Sequence, residues 1–143
     1  MISQTLTTSF KTQLLTATHD FTASTGDTFK MALYLSTATV DADTTVYTAT
    51  GEISGTGYTA GGIALTTTTP TSSGTTAFVS FLTATFTGVV DSTIAGALIY
   101  NSSKSNKSVA VLDFGGLKTS TVAAPLVITF PTAAATTAII RFP

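Results

Sequence analysis

The sequence predicts an all-β fold: a single-domain, jelly-roll-like β-sandwich preceded by one N-terminal helix. Its apolar residues occur in short bursts separated by Thr, Ser and Gly, so no apolar run is long. Turn-forming residues recur about every ten residues between these bursts, a spacing that suits sandwiches, jelly rolls and barrels alike. Near Phe29 the apolar period changes from about 3.6 residues to 2, which marks the passage from helix to strand.

The helix is predicted over residues 2–21. Ile2, Leu6, Phe10 and Leu14 recur close to the helical period and form an apolar stripe. The Thr residues between them are poor helix formers because β-branching restricts their rotamers, so packing has to hold the helix. We expect part of the stripe to bury against another subunit, and packing on the chain's own sheet is an equal alternative.

The strands begin after a turn at residues 23–27. In Phe29–Leu35, large apolar residues alternate with other residues, which indicates a strand. Residues 77–87 are long enough to bend or split, and residues 44–47 are a candidate short edge strand. The other strand candidates are Ile63–Thr69, Ile94–Tyr100, Ser108–Phe114, Pro125–Phe130 and Ala138–Phe142. The expected core comprises Phe29, Met31, Leu33, Phe81, Leu98, Val111, Ile128 and Ile140.

Turn residues close these strands. Residues 51–62 contain five glycines, and residues 70–74 are predicted to be a hairpin connection. Residues 101–106 and Gly115-Gly116 are predicted to close the later loops. A chain of 143 residues fits one domain. We divide it into an N-terminal arm and helix, residues 1–21, and a β-sandwich domain, residues 22–143.

Composition and charge argue against several classes of partner. Only 9% of the residues are charged, against about 25% in ordinary soluble domains. The net charge of -1 argues against nucleic acid, which requires a basic patch. The apolar segments are too short to span a bilayer, so we expect no membrane association. The absence of cysteine excludes disulfides and thiolate metal sites. Low net charge favours association, so we expect a homo-oligomer.

No residue pattern predicts a catalytic, cofactor or metal site. The glycine-rich residues 51–62 lack the Lys and the following helix of a phosphate-binding loop, so we interpret them as a long flexible loop. His19 fits a histidine at a helix end better than a triad base. Asp41, Asp43 and Glu52 supply too few oxygens for calcium. We therefore expect a non-enzymatic protein with no cofactor.

The tyrosines allow two interpretations. Tyr47, Tyr58 and Tyr100 could form an exposed aromatic platform for a sugar or a receptor. Tyr residues next to turns are also common structural elements, since the ring is amphipathic. We favour the structural interpretation.

Several segments, taken together, resemble a family of small virion proteins of tailed bacteriophages. The resemblance covers most of residues 9–142. It is carried by Ser9-Phe10-Lys11, Leu14-Leu15, His19-Asp20-Phe21, Asp27-Thr28-Phe29-Lys30-Met31-Ala32-Leu33-Tyr34, the run from Tyr47 to Gly62, Gly96-Ala97-Leu98-Ile99-Tyr100-Asn101-Ser102 and Val109-Ala110-Val111-Leu112-Asp113-Phe114-Gly115. The resemblance implies a particle component, similar to the cement or decoration proteins that bind outside an assembled capsid. It brings no family active site.

From this resemblance we expect a structural subunit on the exterior of the virion capsid. The implied partners are the major capsid protein and further copies of the chain. Residues 1–21 and the loop at 51–62 are the predicted contact regions, with Ile2, Leu6, Phe10, Leu14, Glu52 and Tyr58 as interface residues. The alternative is a tail or fibre module that binds a host receptor, which a groove lined by the three tyrosines above would favour. A hydrolase built on His19 is a remote third possibility.

Overall fold

The computed structural model describes residues 1–143, and all of its strand ladders are antiparallel. The elements in chain order are β1 (Thr5–Leu6), α1 (Thr8–Leu15), β2 (Phe29–Leu35), β3 (Ile63–Ala64), β4 (Thr71–Ser73), β5 (Thr76–Val79), β6 (Ala84–Phe86), β7 (Asp91–Asn101), β8 (Lys107–Ser120), β9 (Leu126–Ile128) and β10 (Ile140–Phe142). The main sheet has the order β1-β8-β7-β2-β3, a second sheet has the order β10-β5-β4, and β6 pairs with β9. The predicted all-β fold with one N-terminal helix is confirmed.

The main sheet is buried on both faces. Met31 and Leu33 of β2 belong to one apolar cluster, whereas Ala32 and Tyr34 belong to a second cluster on the opposite face. The first cluster also contains residues of α1 and of both smaller sheets, so those elements cover that face. Burial on both faces explains why β2 and the centre of β7 are continuous apolar runs rather than alternating ones.

Seven of the eight predicted core residues are buried, and the eighth is half-buried. Those with 0–4% exposure are Phe29, Met31, Leu33, Phe81, Leu98, Val111 and Ile140. Ile128 is half-buried, because β9 has only β6 as a ladder partner and one side of it faces the surface.

The predicted helix over residues 2–21 is too long. Ile2 forms a parallel bridge with Val40, and β1 pairs with Val111 and Ala110 of β8. The helix therefore begins only at Thr8 and ends at Leu15. β-Branched threonines favour the extended state when a partner strand is present, which explains the lost N-terminal turns.

The N-terminal residues are part of the main sheet. Since β1 is its edge strand, the predicted arm and the predicted sandwich share one sheet and one core. Beyond the helix, Ala17 adopts a left-handed backbone with φ of 53°. This turn directs His19 and Phe21 back toward the rings of Phe10 and Phe29.

Other boundaries differ in detail. Residues 77–87, predicted to bend or to split, are divided between β5 and β6. The strand predicted over residues 63–69 is reduced to β3, and residues 44–47 provide only a bridge from Val46 to Lys107. In the predicted hairpin at residues 70–74, Thr71–Ser73 is itself strand β4, and the turn follows it.

Gly115 and Gly116 do not close a loop, as predicted, but lie inside β8. Ile94 pairs with Lys118 and Gly96 with Asp113, so four residues of β8, 114–117, lie opposite Ala95 alone. Gly115 has a φ of 67°, which a residue without Cβ adopts readily. The strand therefore forms a bulge at the glycine pair and then continues to Ser120. The glycine pair alone had suggested that the strand ends at this point.

Candidate interaction surface

The glycine-rich loop at residues 51–62 is held in place by Glu52. The hydroxyls of Tyr47 and Tyr58 each donate to the Glu52 carboxylate at 2.6 Å, and the backbone N–H of Gly61 donates at 2.7 Å. We call these four residues the Glu52 cluster. The loop also bonds to its neighbours through Val90 N–H, which donates to the Thr56 carbonyl at 2.8 Å. The predicted flexible loop is thus tied to the core by hydrogen bonds.

All four tyrosine hydroxyls are bonded within the chain. Tyr100 donates to the Gly61 carbonyl at 2.7 Å, and its ring stacks on Tyr47 with centroids 4.9 Å apart. Tyr34 donates to the Thr48 carbonyl. Burial, together with the Glu52 carboxylate, raises the pKa of each tyrosine, so all four stay neutral hydrogen-bond donors at neutral pH. This arrangement favours the structural interpretation and leaves no free tyrosine platform.

His19 is also bonded within the chain through both ring nitrogens. Its Nε2 lies 2.7 Å from Oε1 of Gln13, and its Nδ1 lies 3.0 Å from Nδ2 of Asn101. The ring packs edge-on against Phe10 at 5.0 Å. No serine or threonine hydroxyl is hydrogen-bonded to His19, so no nucleophile is paired with it as catalysis by a triad would require.

The acidic residues do not converge on a cation position. Oδ1 of Asp41 accepts from the backbone N–H of Asp43 at 3.0 Å, a local turn contact. Glu52 is occupied by its tyrosines. No three acidic, histidine or cysteine side chains come together as a metal site would need. Every buried side-chain nitrogen and oxygen has a hydrogen-bond partner within the chain.

The N-terminal stripe lies mostly inside the molecule. Ile2 and Phe10 are buried in the chain's own two clusters, and Leu6 and Leu14 are half-buried. These positions support the alternative in which the stripe serves its own sheets. Of the six predicted interface residues, Glu52 and Tyr58 are engaged with one another, which leaves Leu6 and Leu14 closest to the surface.

Three depressions of about 300, 320 and 220 Å³ lie along β8; the first and second share Asp113, and the second and third share Gln4 and Leu112. Apolar residues are the majority in each lining, and Gln4, Ser36 and Thr129 are among the polar ones. The residues that line the three depressions include Met1, Gln4, Leu6, Leu112, Asp113, Phe114, Leu117, Val127, Ile128, Phe130 and Ile139. We call this surface the β8 edge. Among the predicted interface residues, Ile2 and Leu6 line it.

The β8 edge is both exposed and nearly uncharged. Met1 is 84% exposed, Leu117 60% and Val127 50%. Asp113 is the one charged side chain among the lining residues. Along this side β8 pairs with β1 only at Ala110 and Val111, so the next residues of the strand have a ladder partner only in β7. Residues far apart in the chain form this surface, so no local sequence pattern predicts it.

The one helix has eight residues and is too short to cross a membrane. Comparison of the chain with protein-family models, with curated proteins and with solved structures gave no match, so its function has to be argued from its own residues.

Proposed function

We propose that the protein is a structural virion subunit of a tailed bacteriophage, which decorates the capsid exterior and braces the shell. In this proposal the β8 edge contacts the major capsid protein. The observation that carries the proposal is a row of mainly apolar depressions with one charged side chain in its lining, on a protein whose buried polar side-chain atoms all have partners within the chain. Such a molecule offers a surface for association.

The β8 edge has the features of a contact surface. Large apolar side chains such as Leu117 and Val127, exposed along a mainly apolar row of depressions, mark sites of association. The free side of β8 also offers unpaired backbone groups to an added strand. A stable contact buries about 800 Å² on each partner, and repetition over many copies on one shell strengthens attachment further.

The resemblance to small virion proteins supports the same proposal. The alternative, a tail or fibre module that binds a receptor, would be favoured by a groove lined by Tyr47, Tyr58 and Tyr100. These tyrosines do lie together, but their hydroxyls are donated to Glu52 and Gly61 within the chain, which supports a structural role for them. Copy number separates the two functions, since a decoration subunit is about as abundant in particles as the capsid protein and a receptor-binding module is far scarcer.

The first experiment is a gel of purified particles in which the amounts of this chain and of the capsid protein are compared. We expect similar abundance. If the chain is absent from particles, the virion proposal is wrong, and if it is present in only a few copies, the receptor alternative is favoured.

A second experiment tests the surface. Purified protein is added to particles that lack it, and bound protein is measured after sedimentation. Leu117→Asp and Val127→Asp place a charge in the β8 edge and should abolish binding with little change in melting temperature. Leu15→Asp is the matched control, since Leu15 is 89% exposed on α1, away from this edge, and should bind normally. Normal binding by both edge variants would show that another surface makes the contact.

Binding should depend only weakly on salt. Asp113 is the one charged side chain that lines the β8 edge, and the N-terminal ammonium of Met1 is the other charge there, so screening has little to act on. Release of the protein from particles by moderate salt, without denaturant, would contradict an apolar contact.

A further inference from the structure

Three parts of the chain meet at His19. The helix α1 supplies Gln13, the segment that follows the helix supplies Asp27, and the last residue of β7 is Asn101. His19 and Asn101 are both buried, and the His19 ring lies 6.4 Å from the ring of Phe29 on β2. We call this arrangement the His19 joint.

Hydrogen-bond chemistry fixes the orientation of the Asn101 amide. The backbone N–H of Ser103, which can only donate, lies 3.0 Å from Oδ1 of Asn101. The ionised carboxylate of Asp27, which can only accept, lies 2.8 Å from Nδ2 of Asn101. The amide therefore presents its NH₂ group to both Asp27 and His19.

The orientation of Asn101 in turn fixes the protonation of His19. An amide nitrogen cannot accept a hydrogen bond, so Nδ1 of His19 must offer its lone pair to Asn101. The ring hydrogen then lies on Nε2, where it donates to Oε1 of Gln13. The joint is satisfied only when the imidazole is neutral and carries its hydrogen on Nε2.

We propose that His19 is an acid-sensitive switch, whose protonation at Nδ1 opens the joint between α1, the segment at residues 19–28 and the end of β7. A hydrogen on Nδ1 would face the NH₂ group of Asn101, donor against donor. Rotation of the amide gives no relief, because it would turn Oδ1 toward the Asp27 carboxylate and the NH₂ group toward the Ser103 N–H.

The charged groups around the joint come from three parts of the chain: Asp27 from the segment after α1, Lys104 from the connection after β7, and Lys107 from the start of β8. Burial is the largest influence and lowers the pKa of His19; Asp27 raises it, and Lys107 and Lys104 lower it. Helix α1 and strand β2 contribute uncharged neighbours, among them Gln13 and the rings packed on His19. In the unfolded chain the pKa is near 6.5.

The sign of the pH effect follows from the lowered pKa. Below pH 6.5 the unfolded chain binds a proton more readily than the folded protein does, so the stability contributed by a neutral His19 is present above pH 6.5. It is lost as the pH falls from that value through the lower folded pKa. Every tenfold weakening of proton binding in the folded state makes the unfolding constant tenfold larger in acid.

Nuclear magnetic resonance of the ring tests the switch directly. The chain has a single histidine, so its ring signals need no assignment. We expect the nitrogen shifts at pH 8 to place the hydrogen on Nε2, and the ring to titrate below pH 6.5. The backbone amide of Ser103 should shift with the same midpoint, because its acceptor belongs to the joint. A hydrogen on Nδ1, a midpoint at or above 6.5, or a Ser103 amide that stays unchanged while the ring titrates would each overturn the proposal.

Two variants separate the donor conflict from simple charge. Asn101→Asp replaces the NH₂ donor at Nδ1 with an acceptor that also faces the Asp27 carboxylate, whereas Gln13→Glu adds a charge at Nε2 and leaves the donor conflict in place. We expect Asn101→Asp to raise the His19 midpoint far more than Gln13→Glu. Equal shifts would mean that charge alone governs the titration and would overturn the donor conflict. If Asn101→Asp does not fold, the wild-type ring and Ser103 titrations decide alone.

Discussion

Glu52 should be one of the residues on which stability depends most, although it is polar and half-buried. Glu52→Ala removes the acceptor of two tyrosine hydroxyls and of the Gly61 N–H. A buried donor left without its partner costs about 1–3 kcal/mol. Tyr47 lies near the surface and can recover a hydrogen bond from water, so we count only Tyr58 and Gly61. The expected loss in the free energy of unfolding is about 2–6 kcal/mol.

Glu52→Gln separates the acceptor from the charge. One amide oxygen still accepts from Tyr58 and Gly61, so the expected loss is only about 1 kcal/mol, the difference between a charged and a neutral acceptor. Asp43→Ala is the matched control, because Asp43 is exposed and its carboxylate makes no hydrogen bond within the chain. It should change stability by less than about 0.5 kcal/mol.

Urea unfolding followed by far- and near-ultraviolet circular dichroism measures these differences. The chain has no tryptophan and four tyrosines, all at or beside the Glu52 cluster, so the near-ultraviolet signal reports on this site. Stability of Glu52→Ala within about 0.5 kcal/mol of wild type would refute the reasoning, as would equal losses for Glu52→Ala and Glu52→Gln.

Three further predictions rest on the core, on one glycine and on the tyrosines. Leu33→Ala and Leu98→Ala, both at fully buried positions, should each lower the free energy of unfolding by about 2–5 kcal/mol in urea titrations, with the exposed Leu15→Ala as an unaffected control. Gly62→Ala should be strongly destabilising in thermal melts, because φ is 70° and the new Cβ would overlap the Met31 carbonyl. Gly74 has a similar φ of 59° but open space around it, so Gly74→Ala should lower the free energy of unfolding by only about 1–2 kcal/mol. Equal losses for the two variants would refute the steric argument. Because the folded protein raises the pKa of its tyrosines above 10.0, the tyrosine contribution to its stability should be constant between pH 7 and pH 10 and fall at higher pH. Tyrosinate absorbance should appear only as the protein unfolds, and ionisation of all four tyrosines with the fold retained would contradict this.

The elements found from sequence are those with strong local patterns. Strands β2 and β7 are rich in large apolar residues and were therefore found, although the alternation in β2 indicated one apolar face and the structure buries both. Strand β4, by contrast, is wholly exposed and has no apolar residue to mark it. Strand β1 has two residues, and only its partner strand, about 100 residues later, makes it a strand. Helical spacing of Ile2 and Leu6 therefore misled the helix prediction.

The candidate surface and the joint were even less visible in the sequence. The β8 edge combines Met1 with residues 112–117 and 127–139, which no spacing rule connects. Glu52 was noticed as an acidic residue near a glycine-rich loop, but its tyrosine donors are fixed by the folded loop. His19 was predicted at the end of the helix but lies four residues beyond Leu15, and its partner Asn101 lies 82 residues away. Local patterns predict elements, and these sites arise from contacts between elements.

The pairing of β1 with β8 has a consequence for the order of folding. Residues 5 and 6 pair with residues 110 and 111, and the Thr7 hydroxyl lies 2.9 Å from that of Ser108, 101 positions later. Loops this long close slowly, and proteins rich in distant pairings fold slowly. On the ribosome, residues 5–7 have no partner strand until most of the chain has been made. Strand β1, although it is synthesised first, is therefore among the last strands that can reach its native place.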